Sequence, residues 1–213
     1  MTTSMEIKNH QLPYHTHNTY SVFFFGDNIF TTVTHDPAIV SNWISTVKSV
    51  NRGTLIVGLD VEWRPCFIAN RQRNPVATIQ ICVGNRCLIY QIIHSPFIPQ
   101  SLTDFLSDDN CTFVGVGVKQ DLEKLNEDYG IGSHARAMEL GWLAADVYDR
   151  KGLKYAGLKQ LANLVLGKEM QKPKRVTLSN WASSWLMDKQ VRYACLDAFV
   201  SFEIGRNLIN PSS

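Results

Sequence analysis

Apolar and polar residues alternate from Thr54 onward. Leu55, Val57, Leu59, Val61 and Trp63 take one set of positions, and Thr54, Ile56, Gly58, Asp60 and Glu62 take the other. A period of two predicts a strand whose successive side chains leave opposite faces, so Asp60 and Glu62 stand side by side on one face. Apolar runs rich in β-branched and aromatic residues predict further strands over Tyr20–Phe25, Ile29–Val33, Val76–Val83, Arg86–Ile92 and Cys111–Val118. Gly26-Asp-Asn28 and Gly84-Asn85 supply tight turns between neighbouring runs. Helical spacing marks Pro37–Val50, capped by Asp36 or a neighbour, then Leu102–Leu106 and Lys119–Tyr129. The longest helical pattern runs from Met187 to Leu208, with Val191, Ala194, Cys195, Ala198, Phe199 and Phe202 on its apolar face. Arg136–Leu140 reads as a short strand, after which the chain is expected to be helical apart from loops near Gly152 and Lys172. Residues 1–18 read as a weakly structured tail and 19–213 as one domain. Sequential strands joined by tight turns, then helix and strand again, predict an α/β sandwich on a mixed sheet.

Four carboxylates interrupt these apolar patterns: Asp60, Glu62, Asp121 and Asp197. A buried charge is costly unless something pairs with it. Two carboxylates on one strand face repel, and one takes up a proton unless a cation lies between them. Oxygen-only ligands select a hard ion, Mg²⁺ or Mn²⁺, over zinc. Asp121 follows a strand containing Gly115 and Gly117 and falls in the first turn of the next helix; Tyr193 and Asp197, four apart, share one helix face. Singly, each has a structural explanation. The strand pair could be a solvated face, Asp121 could answer the helix dipole, and Asp197 could satisfy the Tyr193 phenol.

In order, the residues read D-x-E, then D after a glycine-containing strand, then Y-x-x-x-D on a C-terminal helix. Around them stand Val57-Gly-Leu-Asp-Val-Glu-Trp63, Ala77-Thr-Ile-Gln-Ile81, Phe113-Val-Gly-Val-Gly-Val118, Leu158-Lys-Gln-Leu-Ala162, Leu178-Ser-Asn-Trp181 and Tyr193-Ala-Cys-Leu-Asp-Ala198. This set resembles the DEDD exonucleases, in the tyrosine-bearing branch of RNase D and the Werner syndrome exonuclease domain with its stand-alone plant relatives. The likeness covers about Thr54 to Leu208. It implies an RNase H-like fold and 3′-to-5′ hydrolysis of DNA or RNA to nucleoside 5′-monophosphates, with two divalent cations, Mg²⁺ or Mn²⁺. It also implies roles: Asp60, Glu62 and Asp197 on the first ion, Asp60 bridging to the second, Asp121 acting through water, and Tyr193 orienting the attacking water. Leu59 and Val61, beside the acids, would wedge against the terminal nucleotide. A catalytically inactive nucleic-acid-binding or assembly module with the same fold is the alternative, and a hydrolase of small phosphoesters a distant third.

Composition narrows the setting. With 45% hydrophobic and 19% charged residues the chain is an ordinary globular protein. No apolar run reaches the roughly 18 residues of a membrane span, and the N-terminus lacks a signal-peptide core. The five cysteines are odd in number and form no C-x-x-C pair, which fits a reducing intracellular compartment, nucleus or cytoplasm. A net charge of +2 is too small for a protein that coats nucleic acid, so contacts must be local. Two basic segments qualify: Arg64, Arg71 and Arg73, and Lys168, Lys172, Lys174 and Arg175. Either could instead be a solvated loop, and Lys172-Pro-Lys-Arg175 also looks like a fragment of a nuclear localisation signal. Lys172, Lys174 and Arg175 are the expected phosphate contacts. Trp181 reads as core. No phosphate-binding loop of the G-x-x-x-x-G-K-S/T kind is present, so unwinding would need a separate helicase. Phe23-Phe-Phe25 could seat a second copy of the chain or pack within its own hairpin.

Overall fold

The computed structural model describes residues 6–12, 16–51, 53–66 and 73–210. β2 (His17–Phe24) and β3 (Asp27–Thr34) form a hairpin, and the turn between them is tight because Phe25 and Gly26 both adopt positive φ, 47° and 89°. Preceding them is β1 (Ile7–Asn9), antiparallel to β2 with Lys8 opposite Ser21. The N-terminal segment expected to be a weakly structured tail thus contains a strand, and β2 begins before its expected end. Three isolated residues carry no periodicity; backbone pairing with β2 makes them a strand.

Helix α1 (Pro37–Val50) starts where the Asp36 side chain accepts from the Ala38 amide. β4 (Leu55–Trp63), β5 (Val76–Val83) and β6 (Arg86–Tyr90) follow as an antiparallel meander. Then come α2 (Gln100–Leu106), β7 (Cys111–Gly115), α3 (Val118–Tyr129), β8 (Ala137–Glu139) and α4 (Leu140–Val147). The β7 strand stops short of Val118 because Gly117, at φ 81°, turns the chain into α3. A 3₁₀ turn at Lys151–Tyr155 occupies the expected Gly152 loop. After it, α5 (Leu158–Leu161), α6 (Lys174–Thr177) and the 22-residue α7 (Asp188–Ile209) complete the chain.

The eight strands make one mixed sheet in the order β1-β2-β3-β6-β5-β4-β7-β8. The pairs β3–β6, β4–β7 and β7–β8 are parallel and the others antiparallel. Apolar residues of α1, α2 and α3 pack on one face, together with Leu55, Val57, Leu59 and Val61. The other face carries α4, α5 and α7, and Phe24 meets Phe199 there edge-on, ring centroids 6.4 Å apart. Burying both faces of the central strands is the arrangement an α/β sandwich requires. Among the described residues no helix is long and apolar enough to cross a membrane.

Candidate active site

A glycine sets the site up. A Cβ at Gly58 would lie 2.0 Å from the Ala198 carbonyl oxygen and 2.7 Å from the Phe202 amide nitrogen. Without that carbon α7 runs directly against β4, and Asp197 comes to rest over the strand face that bears Asp60 and Glu62. One oxygen from each of these three acids lies within 4.8 Å of the others. Asp197 is 2% exposed and Glu62 9%. Asp60 Oδ2 and Asp197 Oδ1 are buried with no hydrogen-bond partner among the described residues. Across the strands Asp60 faces Gln80 and Glu62 faces Thr78; Gln80 Nε2 donates to Thr78 Oγ1 at 2.7 Å. Asp121 sits buried in the first turn of α3, with Lys124 Nζ 3.5 Å from its Oδ1.

Burial and mutual repulsion control the protons here. Asp60 is pushed well above the usual carboxylate range by burial first, then by Asp197 and Asp121. Glu62 is raised by burial and by Asp60. Burial raises Asp197 as well, against Lys172 and the Tyr193 hydroxyl, which favour its charged form. Asp121 reaches about 6 through burial, restrained by Lys124. Tyr193, raised by burial and the Asp197 charge, stays a protonated phenol. Its ring packs on Trp181, centroids 5.9 Å apart, and Trp181 is fully buried. Three converging carboxylates with two bare, buried oxygens have the chemistry of a hard-cation site: oxygen donors in excess of the positive charge the chain supplies.

The structure thus brings Asp60, Glu62, Asp197 and Tyr193 together, with Asp121 close enough to act electrostatically on Asp60. Lys172 joins them, its ammonium 2.7 Å from Asp197 Oδ2. Lys174 and Arg175 are exposed on α6. Leu59 and Val61 do not join: at 1% and 3% exposure they point into the opposite core, so their side chains are not available to wedge a nucleotide. The strand's own alternation forces this. Of the arginine segment, Arg73 is committed to Glu127 and Asp128 at 2.6 and 2.8 Å, Arg64 is exposed, and Arg71 lies outside the described residues. Lys168 pairs with Asp27 at 2.8 Å.

Sequence reasoning passed over Gly58, Gln80, Lys124 and Glu139. A glycine inside a strand is itself a signal of close backbone approach. Glu139 had no local signal: it accepts from the Gly117 and Lys119 amides at 2.8 and 3.0 Å, anchoring the N-terminus of α3 from about 20 residues away.

A family model described as 3′-5′ exonuclease matches residues 31–210. The chain belongs to this family. A 3′-5′ exonuclease of Arabidopsis thaliana is 40% identical over 158 residues, 74% of this chain and 54% of the relative. A Drosophila melanogaster exonuclease 3′-5′ domain-containing protein 2 is 33% identical over 72% of this chain and 25% of its own length. The mouse bifunctional 3′-5′ exonuclease/ATP-dependent helicase WRN is 34% identical over 73% of this chain and 11% of its own length. The chain therefore spans about half or less of these relatives. Escherichia coli RNase D superposes with a TM-score of 0.67 at 17% identity, covering 83% of this chain and 44% of that one. That likeness establishes the fold, the α/β RNase H-like exonuclease architecture. The exonuclease domain thus carries, on its central strand and its last helix, the acids that converge here.

Proposed function

We propose that the chain is a divalent-metal-dependent 3′-to-5′ exonuclease of the tyrosine-bearing DEDD branch, releasing nucleoside 5′-monophosphates from DNA or RNA. One observation carries the reading: within a 3′-5′ exonuclease domain, Asp60, Glu62 and Asp197 converge within 4.8 Å, with Asp60 Oδ2 and Asp197 Oδ1 buried and bare among the described residues. These three acids would hold Mg²⁺ or Mn²⁺, with Asp121 contributing to a second ion; such ions supply Lewis acidity and a water that ionises near neutral pH. The chain's own part is positioning. Tyr193, protonated and fixed on Trp181, can orient a water or a phosphate oxygen by hydrogen bond but is a poor general base. Lys174 and Arg175 on α6 stand beside the Lys172 segment and can hold the strand by its phosphates. Strand separation, where needed, would come from a helicase, an activity that the mouse relative's name joins to its exonuclease. The reading includes an intracellular setting, nucleus or cytoplasm.

The test is digestion of matched DNA and RNA oligonucleotides, labelled in turn at the 5′ and 3′ ends, in Mg²⁺, Mn²⁺ or EDTA. Progressive shortening from the 3′ end, lost in EDTA and in Asp60→Ala, is expected. Binding without shortening would instead establish the inactive-module alternative.

A further inference from the structure

Lys172 stands where two demands meet. As a phosphate contact it should face the bound strand, yet its ammonium lies 2.7 Å from Asp197 Oδ2, inside the carboxylate cluster. Asp60 and Glu62 attract the same ammonium, and it also lies 5.5 Å from the centroid of the Tyr193 ring. A divalent cation seeks the same oxygens, and a +2 ion entering this cluster is repelled by a +1 charge already in it. The two therefore bind against each other, and the antagonism is reciprocal.

The surrounding geometry says which of them can move. Around Lys172 the backbone is held in place: Lys168 is tied to Asp27 at 2.8 Å, Met170 is buried, and α6 starts at Lys174. The Lys172 side chain itself is 33% exposed, against 3% for Asp197, so its solvent side is open. A lysine head is compact, strongly hydrated and carried on a flexible stem, and it can leave without its backbone shifting. Asp197, mid-helix in α7 and packed against β4, cannot follow.

We propose that Lys172 is a transferable counter-ion: it holds Asp197 until a divalent cation binds, is displaced from that carboxylate, and then pairs with a phosphate of the bound strand. The inference rests on the nuclease reading and adds to it an order of partners. It gives one lysine opposite effects on two ligands: its removal strengthens cation binding and weakens substrate binding. A residue that merely shaped the site would weaken both.

The experiment is calorimetric titration of Mn²⁺ into the nucleic-acid-free protein, for wild type, Lys172→Met and Lys172→Arg, followed by steady-state kinetics on a single-stranded oligonucleotide. Lys172→Met is expected to bind Mn²⁺ about fivefold tighter or more. Its KM should rise by about tenfold, more than its kcat falls, for the lost charge-assisted bond to phosphate. Lys172→Arg, which keeps the charge, should bind Mn²⁺ like wild type. Melting in EDTA checks that the variants fold, with Lys172→Gln as the second neutral variant. Mn²⁺ affinity unchanged or weaker in both neutral variants overturns the displacement, and tighter Mn²⁺ binding with unchanged KM overturns the transfer to phosphate. Wild type that binds no Mn²⁺ and shortens no oligonucleotide overturns the nuclease reading and this inference together; wild type that does both while Lys172→Met matches it overturns this inference alone.

Discussion

Asp197 has two unlike oxygens, one bonded by Lys172 and one bare and buried, and Asp60 also has a bare one. Asp60→Asn keeps the shape and removes the charge, so it is expected to lower turnover about a thousandfold, several kcal/mol of transition-state stabilisation. The same variant in EDTA should melt no earlier than wild type, because it relieves repulsion among buried acids. Tyr193→Phe keeps the ring on Trp181 but removes the hydroxyl; activity about a hundredfold lower with stability within about 1 kcal/mol would mark the phenol as an orienting group. These carboxylates also make the metal-free protein sensitive to pH. Their folded pKa values lie above the unfolded ones, so between the two the native state holds more protons than the unfolded chain, and stability falls as pH rises. The fall starts near the ordinary carboxylate range, about 4, passes Asp121 at about 6, and continues upward through the more strongly raised acids. Melting curves in EDTA from pH 5 to 9 should show it, and Mg²⁺ or Mn²⁺ should flatten it.

At the scale of elements, the approach of α7 to β4 decides whether the acids meet. Gly58 is the notch on the strand side; further along α7, a Cβ at Gly205 would come within 2.7 Å of Val114 Cγ2 on the neighbouring β7, so the helix also lies close on that strand. Gly58→Ala must push α7 outward against backbone atoms that cannot yield, and is expected to destabilise by about 2 kcal/mol or more in urea titration while removing activity. Gly152→Ala, where an added Cβ meets nothing within 4 Å, should change stability by no more than about 0.5 kcal/mol. The central strands and α1, α3 and α7 were legible because their apolar periods run for many residues. Elements with less pattern were not. β1 is a strand only through its pairing with β2, and β7 ends early because Gly117 turns the chain left-handed. The α5 helix continues into a π turn, Ala162–Leu166, that no local spacing announces.

The whole molecule carries little net charge, +2, so any grip on nucleic acid is local. With a divalent cation bound, so that Lys172 joins Lys174 and Arg175 on the phosphates, the logarithm of single-strand affinity should fall against the logarithm of salt with a slope of about −2. Lys174→Ala should reduce that slope by about 0.7, measured by fluorescence anisotropy. Arg73→Ala should leave it unchanged, since Arg73 is spent on Glu127 and Asp128. The type and order of the reacting groups are local properties of the chain: the D-x-E face, the acid opening α3 and the Tyr193–Asp197 pair are each written within a single strand or helix turn. Their meeting, the notch that permits it, the ion pair that draws Lys172 into the cluster and the burial of Leu59 and Val61 in the opposite core were decided by the tertiary structure. Periodicity fixes which side chains share a face of one element. Which face meets which, and which charges then find each other across 25 to 137 residues of chain, depends on packing that no short window contains.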